Sequence, residues 1–132
     1  MKKVKVLFHL NDPGRWPTTL QNIGNLLKNV GQRGADVVVV ANGSAVVAYV
    51  AGYLAAAGES APAGASCGLA RGGLIAQMRE LAGQGVKFTA CRNSLQMQSI
   101  AEDALPSFVL VVPAGVTEIA RKQADGYAYI KP

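Results

Sequence analysis

The stretch "GVKFTACRNSL" carries an apolar run up to a cysteine, Cys91, and then turns polar at Arg92, Asn93 and Ser94. A thiol at the end of a strand and the start of a helix has a chemical use. It sits against unpaired backbone N–H groups and the positive end of the helix dipole, and both favour thiolate over thiol. An unperturbed thiol, with a pKa of about 8.5, is only a few per cent ionised at neutral pH. A fall of about one and a half units makes it about half thiolate. Arg92 would add positive charge unless its side chain points away, and Ser94 can cap the helix and leave Cys91 facing the mouth of the site. The opposing reading is an inert cysteine buried at the last residue of a strand, since cysteine is among the most buried residue types.

Other reactive residues are few. His9 is the one histidine, and at a strand terminus it can tune Cys91 electrostatically or shuttle a proton; a purely structural histidine fits the same place. Cys67 lies in "GESAPAGASCGLARGG" and reads as a resolving or relay thiol, or as a small residue among Gly, Ala and Ser. One histidine and two distant cysteines cannot close a zinc site. There is no Walker A sequence, no GxGxxG after the first strand and no GxSxG. "NDPGRWPTT" is poorly suited to gripping a flavin phosphate, and the carboxylates form no evident acid–base pair. No metal and no organic cofactor is expected.

These residues need a scaffold, and the pattern of the chain supplies one. Apolar strand-like runs at 3–10, 36–41, 86–91 and 107–113 alternate with helical periodicity, before a terminal "YAYIKP". The first helix opens at Pro17, carries Leu20, Ile23, Leu26, Leu27 and Val30 on one face, and stops at Gly31 and Gly34. A second, almost wholly apolar helix is expected from Ser44, with Tyr49 and Tyr53 either at a subunit interface or in the core. A long loop over 58–73 follows, then helices at 74–85, 94–105 and 115–126. Such alternation implies one α/β domain over 1–132, with a mostly parallel five-stranded sheet between helical layers. Ligands and chemistry gather beyond the carboxyl ends of the strands in such folds. Those ends carry His9-Leu10-Asn11, Asn42-Gly43-Ser44, Cys91-Arg92-Asn93 and Pro113-Ala114-Gly115.

At 132 residues, 50% hydrophobic and 16% charged, the chain can bury an ordinary core. Its net charge of +5 invites a nucleic-acid reading. The basic residues are scattered, however, with no block or aromatic-interleaved stripe to make a binding face. The apolar start is cut short by "NDPGRWP", so no signal peptide is read, and Asn42, Gly43 and Ser44 divide the most apolar region into pieces too short to span a bilayer. A cytoplasmic protein with free thiols, bound neither to membrane nor to nucleic acid, is expected.

Taken together, "GVKFTACRNSL", "VVVVANGSAV" and the ending "VVPAGVTEIARKQADGYAYIKP" resemble the DsrE/DsrF-like sulfur-relay family, including its small YchN-like members. The resemblance covers nearly the whole chain. It implies an α/β/α sandwich that assembles into trimers or hexamers, with Cys91 carrying sulfur as a persulfide between a protein donor and a protein acceptor. Arg92, Asn93, Ser94, His9, Asn42 and Gly43 are the candidate supporting residues. Two other functions stay open. One is a noncatalytic oligomeric binding or regulatory module with an unreactive Cys91 at its pocket, and the other is a redox sensor linking Cys91 reversibly to Cys67.

Overall fold

Val6, Leu7, Phe8 and Leu10 are all buried although neighbours on a strand point to opposite faces, so the first strand is covered on both sides. In the computed structural model, which describes residues 3–50 and 73–132, this strand is β1 (Val4–Leu10). It pairs in parallel with β2 (Ala35–Ala41), which is buried almost throughout, in a register running from Val4 opposite Ala35 to Leu10 opposite Ala41. β3 (Lys87–Cys91) and β4 (Val109–Val112) extend the sheet beyond β2, and β5 (Ala128–Ile130) pairs with the other side of β1. The order is β4-β3-β2-β1-β5, and every pairing is parallel.

That order explains how the helices are distributed. The chain moves outward from β1 to β4 and then returns across the sheet to β5. Right-handed crossovers taken in opposite directions place their helices on opposite faces. On one face lie α1 (Trp16–Val30) and α2 (Gly73–Gly83), packed over Val6, Phe8, Val37, Val39, Phe88 and Ala90. α1 presents Leu20, Ile23 and Leu27 to this core, as its periodicity predicts. Trp16 is fully buried there, and its indole N–H donates to the Ala45 carbonyl at 2.9 Å, so no polar atom is stranded. The return crossover is α4 (Gly115–Ala124), which covers Leu7, Val38 and Val40 with Ile119 and, just beyond it, Tyr127.

Two expectations are corrected, and one open alternative is decided. The chain from Gly43 to Tyr49 is a 3-10 helix rather than the start of an α-helix; the rest of that expected helix, with Tyr53, the long loop and Cys67, lies outside the described residues. Tyr49 is an intramolecular core residue. It is 1% exposed, donates to the Thr89 carbonyl at 2.9 Å and packs edge-on against Trp16. The helix expected over 94–105 is the shorter α3 (Arg92–Met97). It ends in a Schellman-type turn in which Ser99 takes φ 58° and the Ile100 N–H returns to the Leu95 carbonyl at 2.9 Å. A serine in the place usually held by glycine hid that stop from the sequence. Among the described residues no helix is long and apolar enough to cross a membrane.

Candidate functional site

β1, β2 and β3 end side by side, and their last residues build the site. His9 lies opposite Val40, which lies opposite Thr89. Two residues further on, on the same face, stand Asn42, just past the end of β2, and Cys91, the last residue of β3. This is the α4 face. Cys91 pairs with Val112 at the end of β4, one short turn before α4 begins.

Cys91 is the N-cap residue of α3, in extended conformation, and is 5% exposed. Burial pushes its thiol pKa up. The Ser94 hydroxyl and the backbone N–H groups of Gly115, Ser94 and Asn93 oppose this, and the net direction is down. The thiol makes no capping hydrogen bond to the helix, which fits a weak acceptor. These donors therefore discriminate in favour of the thiolate, and they come from the starts of two helices, α3 and α4.

The turn after β2 supports both arms. The Gly43 N–H donates to the Ser94 hydroxyl oxygen at 2.7 Å, which leaves the Ser94 proton free to point at sulfur. Gly43 has φ +57°, and a Cβ there would stand 3.2 Å from the Asn11 carbonyl oxygen, so this tight turn requires glycine. Asn42 contacts the other arm. A Cβ on Gly115 would lie 3.2 Å from the Asn42 Cβ, a distance that only glycine avoids without a shift. The Asn42 side-chain oxygen is 2.9 Å from His9 Nε2, and His9 Nδ1 is 2.6 Å from the Tyr129 hydroxyl.

The chain matches the model of the DsrE/DsrF-like family over residues 5–132, nearly its whole length. It belongs to that family. Among solved structures, this DsrE/DsrF-like chain is similar to a protein of unknown function from Methanobacterium thermoautotrophicum, with 28% identity, a TM-score of 0.72 and 100% of each chain covered. No curated protein matches it.

At the end of this sheet, four of the supporting residues converge on Cys91 in ways the sequence did not specify. Ser94 is the third residue of α3 and does not cap it; the hydroxyl serves Cys91 and Gly43 instead. Asn93 contributes its backbone N–H, and its side chain is exposed. Asn42 and Gly43 hold the two arms. His9 is placed in the row but has both ring nitrogens engaged by Asn42 and Tyr129, not by Cys91. Arg92 is the correction. Its guanidinium is 2.7 Å from Glu102 and raised in pKa by that partner, so its charge is spent away from the thiol. Two contributors were missed. Gly115 was visible as the Ala-Gly-Val junction between strand and helix, whereas nothing in "YAYIKP" marks Tyr129 as a partner of His9.

Proposed function

We propose that this chain is a sulfur carrier that holds sulfur as a persulfide on Cys91 and passes it to a partner protein. The observation that carries the reading is the place of Cys91 at the N-cap of α3 and beside the strand end that leads into α4, where the surrounding donors favour sulfur in its anionic form. Membership of the DsrE/DsrF-like family supports it.

In loading, the Cys91 thiolate attacks the outer sulfur of a donor persulfide, and the donor leaves as thiolate. In delivery, an acceptor thiolate attacks the outer sulfur of the Cys91 persulfide. The new bond joins acceptor sulfur to transferred sulfur, the old S–S bond breaks, and its electron pair stays on Cys91. No net oxidation occurs in either step. The donors suit both steps, because thiolate is the attacking group in the first and the leaving group in the second. The 5% exposure of Cys91 adds direction. The inner sulfur is shielded, so an incoming thiolate meets the outer one.

The partners are a protein donor, a protein acceptor and further copies of this chain, as trimer or hexamer, in the reducing cytoplasm. Supporting this are exposed apolar side chains near the site: Met97 at the end of α3, 82% exposed, and Val116 in the first turn of α4, 71% exposed. The same 5% exposure of Cys91 favours one rival, a binding module whose cysteine is inert. Incubation with inorganic polysulfide, read by peptide-resolved mass, separates them. The carrier gains the mass of one sulfur on Cys91, and Cys91→Ser gains none there; a wild-type Cys91 that stays unmodified leaves the binding module standing.

A further inference from the structure

We infer that Asn42 is a positioning residue for Cys91: locked by the Tyr129–His9 pair, its side chain sets where the first turn of α4 rests at the end of the strand that pairs with Cys91. The inference rests on the carrier reading and names what holds its reactive group in place.

The register lays out a row across one face of the sheet. Tyr129 on β5 stands opposite Leu7, His9 follows two residues further along β1, and Asn42 and Cys91 continue across β2 and β3. The row is joined by hydrogen bonds for most of its length. The Asn42 side-chain oxygen accepts from His9 Nε2–H at 2.9 Å, and His9 Nδ1 shares a hydrogen bond of 2.6 Å with the Tyr129 hydroxyl. With its oxygen turned to His9, the Asn42 amide directs its nitrogen elsewhere. That direction is α4: a Cβ built on Gly115 comes to 3.4 Å from Asn42 Nδ2 and 3.2 Å from its Cβ.

The Asn42 backbone is fixed as firmly. Its N–H donates to the Leu10 carbonyl at 3.0 Å, and its carbonyl accepts from Ala45 at 3.1 Å. The buried Gly115 therefore lies against a residue held by hydrogen bonds at its N–H, its carbonyl and its side-chain oxygen. Gly43, the next residue, holds Ser94. Residues 42 and 43 thus touch both arms that reach Cys91, one through Gly115 and one through Ser94.

The test is the rate of Cys91 alkylation by iodoacetamide against pH, resolved by peptide mass so that Cys67 does not contribute. Asn42→Ala is expected to raise the midpoint by about one pH unit, which is about tenfold less thiolate at pH values below both midpoints. Tyr129→Phe, at the sheet edge and tolerant of the change, is expected to raise it by less, about threefold in thiolate, and carries the test alone if Asn42→Ala does not fold. Tyr127→Phe, which alters the far end of α4, keeps the wild-type profile. A folded Asn42→Ala or, failing that, Tyr129→Phe with the wild-type midpoint overturns the inference. Polysulfide loading is scored separately. A midpoint shift in a chain that never takes up sulfur upholds the positioning role and removes the carrier; normal loading with no midpoint shift does the reverse.

Discussion

The two faces of the sheet are built to different standards. One is covered by α1, α2 and the 3-10 helix Gly43–Tyr49, and its core runs through Trp16, Phe8, Phe88, Ile23, Leu74 and Met78. Among the described residues, the other has three fully buried strand residues in its apolar cluster, Leu7, Val38 and Val40, under the ten-residue α4, whose only buried residue is its first, Gly115. His9, Asn42 and Cys91 all stand on the second face. Polar groups that must keep donors free for a sulfur atom fit poorly in a dense apolar layer, where each unpaired one would cost stability. The separation lets one face hold the fold while the other aims hydrogen bonds.

Adjacent residues of β1 test that separation most strongly. Phe8 and Leu7 are both buried but point to opposite faces. Phe8→Ala is expected to cost about 3–5 kcal/mol in denaturant unfolding and to leave the Cys91 alkylation profile unchanged in the folded fraction. Leu7→Ala is expected at the lower end of its class, about 2–3 kcal/mol, because a thin layer can collapse onto the gap. If Leu7→Ala costs more than Phe8→Ala, the contrast between the faces is wrong.

Gly115→Ala sharpens the comparison at the site itself. The added methyl meets the Asn42 Cβ at 3.2 Å, so the start of α4 and Asn42 must shift relative to each other by a few tenths of an ångström. The expected result is a rise of about one pH unit in the Cys91 midpoint, equivalent to about 1.4 kcal/mol of lost thiolate stabilisation. An unchanged midpoint would show that α4 contributes nothing to the sulfur.

The smallest expected effect lies at the other end of α4. The Tyr127 hydroxyl donates to the Asp36 carboxylate at 2.6 Å. Its pKa is pushed up to about 12, first by burial and then by Asp36. Folding thus favours the neutral phenol. That contribution is whole below the unfolded tyrosine value of about 10 and disappears as pH rises through about 12, a loss of about 1–2 kcal/mol after allowance for solvent screening. Tyr127→Phe should lose less stability than wild type over this window, measured by urea unfolding at each pH.

Much of this was legible in the sequence, for physical reasons that also mark where reading failed. Continuous apolar runs such as "DVVVVA" identify buried parallel strands, and their carboxyl ends locate Cys91, Asn42 and His9 at one edge. The order of the strands was not readable, because local pattern does not record which strand lies beside which. Nor was the role of each side chain. Arg92 turns to Glu102, ten residues on, and Ser94 turns to Gly43 on a different strand's turn. Tyr129 meets His9 across 120 residues of chain. Contacts of this kind are set by the sheet register, which appears only once the chain is folded.

The central claim is that Cys91 gives up its outer sulfur and remains behind as a thiolate. Single-turnover transfer tests it most directly: protein loaded with polysulfide is freed of reagent and mixed with less than one equivalent of small-molecule thiol, and both products are trapped by alkylation and followed by mass. The account predicts an acceptor persulfide and an unmodified Cys91. A mixed disulfide on Cys91 with release of sulfide would place the attack on the inner sulfur and contradict it.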